Sequence, residues 1–225
     1  MTSPLTDLLN SLLRARAGSA APGWLDGARL ARPGRLEPLH LAWATAPRVL
    51  GRGPLEPSDA ERAALAGLAP GVGFDRWTLV DAGRALTLLE LADQWPGDAF
   101  VEAAVACYEQ GEAREQQSWL KALPLLPEPE RFLACAYDAC RTNITPVFEA
   151  IACENPFPAA HYSELHFNQL VLRSMFLGVA LDRIVGRERR LNPTLTRMAE
   201  DFAAERRAAG RPVPGDLALA LHTSS

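Results

Sequence analysis

Residues 77–93, WTLVDAGRALTLLELAD, place Val80, Leu86 and Leu89 at helical spacings and show no apolar–polar alternation of period two. The spacing predicts a helix over 77–94. Outward from it, the same period recurs in 3–17, 36–49, 58–69, 97–110, 112–123, 129–142, 145–154, 162–178 and 193–209, about ten helices in all. Several starts carry supporting chemistry. Ser58 with Glu61 forms a capping box, Thr145-Pro146 and Asn192-Pro193 set a cap before a first-turn proline, and Pro129 suits a first turn. The predicted class is therefore all-α.

Gly- and Pro-rich stretches (APGW, ARPGR, GRGPLEPSD, LAPGVG) interrupt residues 1–74, whereas 75–210 reads as longer helices with short connectors. Short connectors favour antiparallel neighbours, so helical hairpins stacked as an α-solenoid of the HEAT type, or a bundle, are expected. No residue repeat accompanies them. The whole of 1–225 is read as one domain, with 211–225 forming at most a last short helix before it frays.

The 225 residues, 48% of them hydrophobic, suffice for a sizeable core, and a net charge of −4 argues against a phosphate-binding surface covering the protein. Nucleic acid is not an expected partner. At the amino terminus Arg14 and Arg16 follow the apolar residues instead of preceding them, which is the wrong order for a secretory signal. No stretch reaches the ~18 uninterrupted apolar residues of a membrane span. Cys107, Cys135, Cys140 and Cys153 include no C-x-x-C pair and no zinc-like spacing, so free buried thiols in a reducing cytoplasm are expected. No cofactor and no metal is predicted.

Residues 154–176, ENPFPAAHYSELHFNQLVLRSMF, pose a sharper question. On a helical wheel Phe167, Leu170, Val171 and Ser174 share one face, and Leu165, Leu172 and Met175 another, which predicts a helix central to the core. Asn168 shares the second apolar face and needs a partner, expected in the CRTNIT or CENPFPA turn, so its role is read as structural. Tyr162, His166, Gln169 and Arg173 form a narrow stripe that is either a wet edge or the lining of a groove. His161, Glu164 and His166 point to different sides of a helix and make no metal site. Motifs for nucleotide binding, serine hydrolysis and zinc proteolysis are missing from the sequence. Glu149 and Glu154, flanking Cys153, are the candidate acid–base groups; Glu149 would serve if buried with a raised pKa, while its place early in a helix also suits the dipole.

Four blocks, SWLKALPLLPEPERF, ACRTNITPVFEAIACENPFPAAHY, FNQLVLRSMFLGVALDRIVG and LNPTLTRMAEDFAAERRAAGRPVP, together resemble the EboA-domain family over Ser118 to Pro214. The resemblance implies a cytoplasmic component encoded in ebo-type gene clusters. Its neighbours there are a UbiA-like prenyltransferase, a TatD-like hydrolase and sugar-phosphate-type enzymes, and its role is traffic of secondary-metabolite precursors toward the periplasm. It transfers no catalytic residue. Two functions follow from residues and resemblance together. The favoured one is a non-catalytic binding or adaptor protein that handles a metabolite or docks onto a cluster partner, including the membrane prenyltransferase. It would use Asn143, Glu149, Glu154 and Asn155 with the stripe Tyr162, His166, Gln169 and Arg173. The alternative is a cofactor-free enzyme of the same pathway acting on an apolar, prenylated or aromatic small molecule through Glu149 or Glu154.

Overall fold

The computed structural model describes residues 3–95 and 97–222 and contains twelve α-helices, joined by 3₁₀ turns. They are α1 (Pro4–Arg16), α2 (Ala21–Ala28), α3 (Glu37–Val49), α4 (Asp59–Leu68), α5 (Leu79–Gln94) and α6 (Asp98–Glu109). The second half holds α7 (Ala113–Ala122), α8 (Leu133–Arg141), α9 (Thr145–Ala152), α10 (Phe157–His161), α11 (Glu164–Leu177) and α12 (Pro193–Ala208). Among the described residues there is no β-strand, only two isolated bridges, and no helix is long and apolar enough to cross a membrane.

Periodicity misses α2 and α10. Both are short and carry prolines and glycines that read as breaks, yet Pro22 and Pro158 sit in first turns, where a proline costs no hydrogen bond. Two starts also differ from expectation. Thr145 lies inside α9 while Ile144 occupies the cap, and Pro129 opens a 3₁₀ turn ahead of α8. Ser58 and Asn192 cap as their spacing requires: Ser58 closes a box with Glu61, and the Asn192 side-chain oxygen Oδ1 accepts from the Leu195 N–H at 2.8 Å.

The central helix is α5, not α11. Every residue from Leu79 to Leu91 is buried, because α1, α3 and α7 pack around it. Four polar side chains follow one another three residues apart along this helix, at Asp81, Arg84, Thr87 and Glu90, and each meets a partner from another element. Asp81 accepts from Ser118 (2.7 Å) and Lys121 (2.7 Å) of α7 and closes a capping box with Thr78. Arg84 donates to the carbonyls of Trp43 (2.8 Å) and Arg114 (3.0 Å). Thr87 accepts from the Trp43 indole (2.9 Å), and Glu90 takes two bonds from Arg29 (2.9 and 2.6 Å). A buried polar row costs little when each member is bonded in this way. Gly83 faces the remaining side, where a Cβ would stand 2.4 Å from Leu50 Cδ1 and would have to displace that side chain.

From α5 the packing passes to α7 and then α9, while α6 and α8 contact each other and cover them. A hydrophobic core runs without interruption from Leu5 to Ala220. The segment after α12 is pinned through His222: Asp216 accepts from the Leu181 N–H (2.7 Å) and Thr196 from the His222 N–H (2.7 Å). The described part of the tail holds a last short 3₁₀ helix, Leu217–Ala220; residues 223–225 lie outside the described residues.

Candidate functional site

The α10–α11 corner is built by local chemistry. Ser163 caps α11 by accepting from the His166 N–H (3.3 Å), and Gly178 ends the helix in the left-handed conformation (φ 70°) that a glycine adopts without strain. Arg190 fixes the corner by donating to the carbonyls of Ala159 (2.6 Å) and Tyr162 (2.7 Å) while lying over the Phe167 ring.

This corner decides what the stripe becomes. Tyr162 precedes the helix, is 4% exposed and donates its phenol proton to the Ala136 carbonyl (2.8 Å); burial drives its pKa upward. Gln169 is exposed, and His166 and Arg173 are half-buried. The His166 ring stacks on Tyr137 of α8 at 3.8 Å and 18°, and its Nδ1 lies 2.9 Å from the Ser163 hydroxyl. Arg173 donates to the Thr142 carbonyl and lies over the Phe148 ring, with its Nε buried and unpartnered. With Tyr137, Cys140 and Arg141 of α8, the four stripe residues line a cavity of about 230 Å³. An engineered cavity of roughly 150 Å³ admits benzene, so the volume is that of one substituted ring.

Among the described residues, Arg141 and the Gln169 amide have no hydrogen-bond partner. The Cys140 thiol, 3.3 Å from the Tyr162 hydroxyl, is pushed up to about 11 by burial, against the pull of Tyr162 and of two arginines. It stays protonated at neutral pH and is a poor nucleophile. Burial likewise raises the thiols of Cys107 and Cys153 to about 12 and Cys135 to about 11.

Glu149 and Glu154 meet at a second cavity, of about 210 Å³, and both belong to Arg183. Its guanidinium grips Glu154 with two bonds (2.8 and 2.9 Å) and Glu149 with a third (2.8 Å), so three of the four carboxylate oxygens are occupied. The hydrogen bonds that Arg183 donates to Glu154 raise its pKa above the ordinary value. This is the arrangement of a structural junction. Glu154 sits in the left-handed region (φ 50°); its carbonyl accepts from the Gly73 N–H (2.9 Å), and its own N–H donates to the Arg183 carbonyl (2.9 Å). Three chain segments are thereby joined at one residue. A Cβ on Gly73 would lie 2.4 Å from Glu154 Cβ, which accounts for the glycine. The Glu149 side chain is not buried: it is 34% exposed and paired with Arg183.

The comparisons with known proteins can be set beside this geometry. The family model described as metabolite traffic protein EboA matches residues 5–221. The chain belongs to that family. The match extends through the loop-rich first half, which the four sequence blocks do not reach. No curated protein and no solved structure matches the chain.

For this EboA-family chain the remaining candidates divide plainly. Asn155 is 3% exposed and fully used: its amide donates to Leu120 (2.9 Å) and Ala150 (3.0 Å) carbonyls, and its oxygen accepts from the Phe157 N–H (3.0 Å). Asn143 is exposed on the turn before α9 and lines neither cavity. Asn168 exchanges amide bonds with Asn192 (3.2 and 3.0 Å), the cap of α12, and not with either predicted turn. Asn168→Ala is expected to leave Asn192 half-paired and cost about 1–3 kcal/mol, read as a lower urea midpoint with an unchanged slope. Sequence reasoning missed Tyr137 and Arg141. Their signal was the four-residue spacing that puts both on one side of α8, with Arg141 itself inside the CRTNIT stretch. Among the described residues no cluster of His, Cys, Asp or Glu is arranged to hold a metal ion.

Proposed function

We propose that this chain is a non-catalytic cytoplasmic carrier that holds a metabolite by a planar, negatively charged group, in keeping with the traffic role that names its family. The observation that carries the reading is the His166–Tyr137 stack facing the unpaired Arg141 in a ring-sized cavity. Stacked rings offer a flat apolar wall, and a guanidinium beside it supplies the fork that binds a carboxylate or phosphate. The pairing of Glu149 and Glu154 with Arg183, and the raised thiols, favour binding over chemistry. Partners from the same gene cluster would receive the cargo at this end of the molecule.

The test is a titration followed by NMR with benzoate, phenyl phosphate and benzylamine. The two anions are expected to saturate one site, and the cation to have no effect. Arg141→Gln with Gln169→Ala, both exposed, should leave the melting temperature within about a degree and weaken anion binding at least tenfold. Equal affinity in the double variant, or equal binding of benzylamine, rules the reading out.

A further inference from the structure

A second concave surface, independent of the α8–α11 cavity, lies between α2 and α3 and encloses about 980 Å³, at the upper end of small-molecule sites. We infer that this trough binds an anionic amphiphile, its apolar body along α2 and α3 and its anionic head at Arg48. The floor is built for a guest. Gly23 and Gly27 stand four residues apart on one side of α2, and a Cβ on either would meet no atom within 4 Å. They therefore do not serve contact within the chain; their effect is to keep the trough open. Trp24 between them is held flat by donating its indole N–H to the Ala42 carbonyl (2.7 Å).

The walls are apolar and wet. Leu30 and Leu41 are 64% and 66% exposed, the two most exposed large hydrophobic side chains among the described residues, and both line this trough. Charge is confined to the ends. At the closed end of the α2–α3 hairpin Arg35 and Glu37 bring charges of opposite sign, whereas at the open end Arg48 is the one charged residue among the described lining residues, and it has no ion-pair partner among the described residues. Between the ends, Thr45 spends its hydroxyl on the carbonyls of Leu41 (2.8 Å) and Ala42 (3.2 Å). A partner helix would bring polar side chains along both borders and find nothing to bond there. An amphiphile needs only one charge at one end. From Pro38 to Arg48 the helix rises about 15 Å, the length over which apolar contact is offered.

The experiment uses the full chain with dodecyl phosphate and dodecanol, each kept below its micelle or solubility limit, and reads binding by calorimetry and by tryptophan emission. One dodecyl phosphate per chain is expected. Gly27→Leu, which fills the floor and suits a helix better than glycine, should weaken both probes at least tenfold with no loss of melting temperature. Arg48→Gln should weaken dodecyl phosphate at least fivefold and leave dodecanol unchanged. The Arg141→Gln/Gln169→Ala protein should bind both probes normally, whatever becomes of the α11 reading. No saturable binding, or full affinity in Gly27→Leu, overturns the inference. So does loss of binding in the Arg141→Gln/Gln169→Ala protein, which would move the probe to the other cavity, and so does a chain dimer broken by Gly27→Leu in the absence of probe binding. Should Gly27→Leu unfold, Gly23→Leu and the Arg48→Gln contrast between the two probes decide the matter.

Discussion

Asp81→Leu is expected to destabilise the protein by about 3–5 kcal/mol, the range for removing one partner from a buried charged pair. The leucine fits the volume but strands everything the carboxylate binds: the Lys121 ammonium, the Ser118 hydroxyl and the Thr78 cap. Arg84 also suffers. Burial already lowers its pKa, with Glu115 and Asp81 as the counter-charges that oppose this, and the variant removes one of them. For Asp81 itself burial pushes the pKa up, but the charge and hydrogen bond of Lys121, with the bonds from Thr78 and Ser118, outweigh it and hold the group below the ordinary value. A depressed folded pKa contributes stability that is present above the unfolded value of about 4 and is lost as the pH falls through the folded one. Urea unfolding across pH 2–6 should show that acid loss in the parent and not in Asp81→Leu. A variant within about 1 kcal/mol of the parent would mean the network contributes nothing.

Arg183→Met should loosen the junction of three segments. The guanidinium bridges two carboxylates, and without it Glu149 and Glu154 lose the three hydrogen bonds that it gives them. All three side chains are partly exposed, so solvent screening reduces the cost to about 1–2 kcal/mol at neutral pH. Urea unfolding should show this as a lower midpoint with an unchanged slope. Proteolysis within 70–76 should report the same opening. An unchanged midpoint would show that the three bonds contribute nothing.

Much of this was legible in the sequence, and the rest was hidden for definite reasons. Helices such as α1, α3 and α12 are longer than eight residues with one apolar side, so periodicity finds them. Residues 79–91 were also found, but not the burial of Asp81, Arg84, Thr87 and Glu90, because their partners Ser118, Trp43 and Arg29 lie tens of residues away in the chain. On α11, Leu165 was read on an apolar face of a core helix, yet it is 60% exposed. For the site, the spacing of His166, Gln169 and Arg173 aligned them correctly, whereas Tyr162 belongs to the preceding turn and is buried. Only tertiary packing supplies Tyr137 and Arg141, and only it shows that Arg173 is tied to Thr142. An alanine at Arg173 would thus cost stability as well as binding, which is why the proposed double variant uses Arg141 instead.

The polar row on α5 also fixes where that helix can stop along its own axis. Apolar side chains tolerate sliding, since one leucine replaces another after a turn of about 5.4 Å. The row does not. A slip of three residues would carry Arg84 to the place of Asp81, against the Lys121 ammonium, and would leave Thr87 opposite Glu115 and the carbonyls of Trp43 and Arg114. Two cations would then be buried together with no anion between them. The interior of this fold thus admits a single alignment of its central helix, chosen by the order of charges where greasy contact alone would have allowed several.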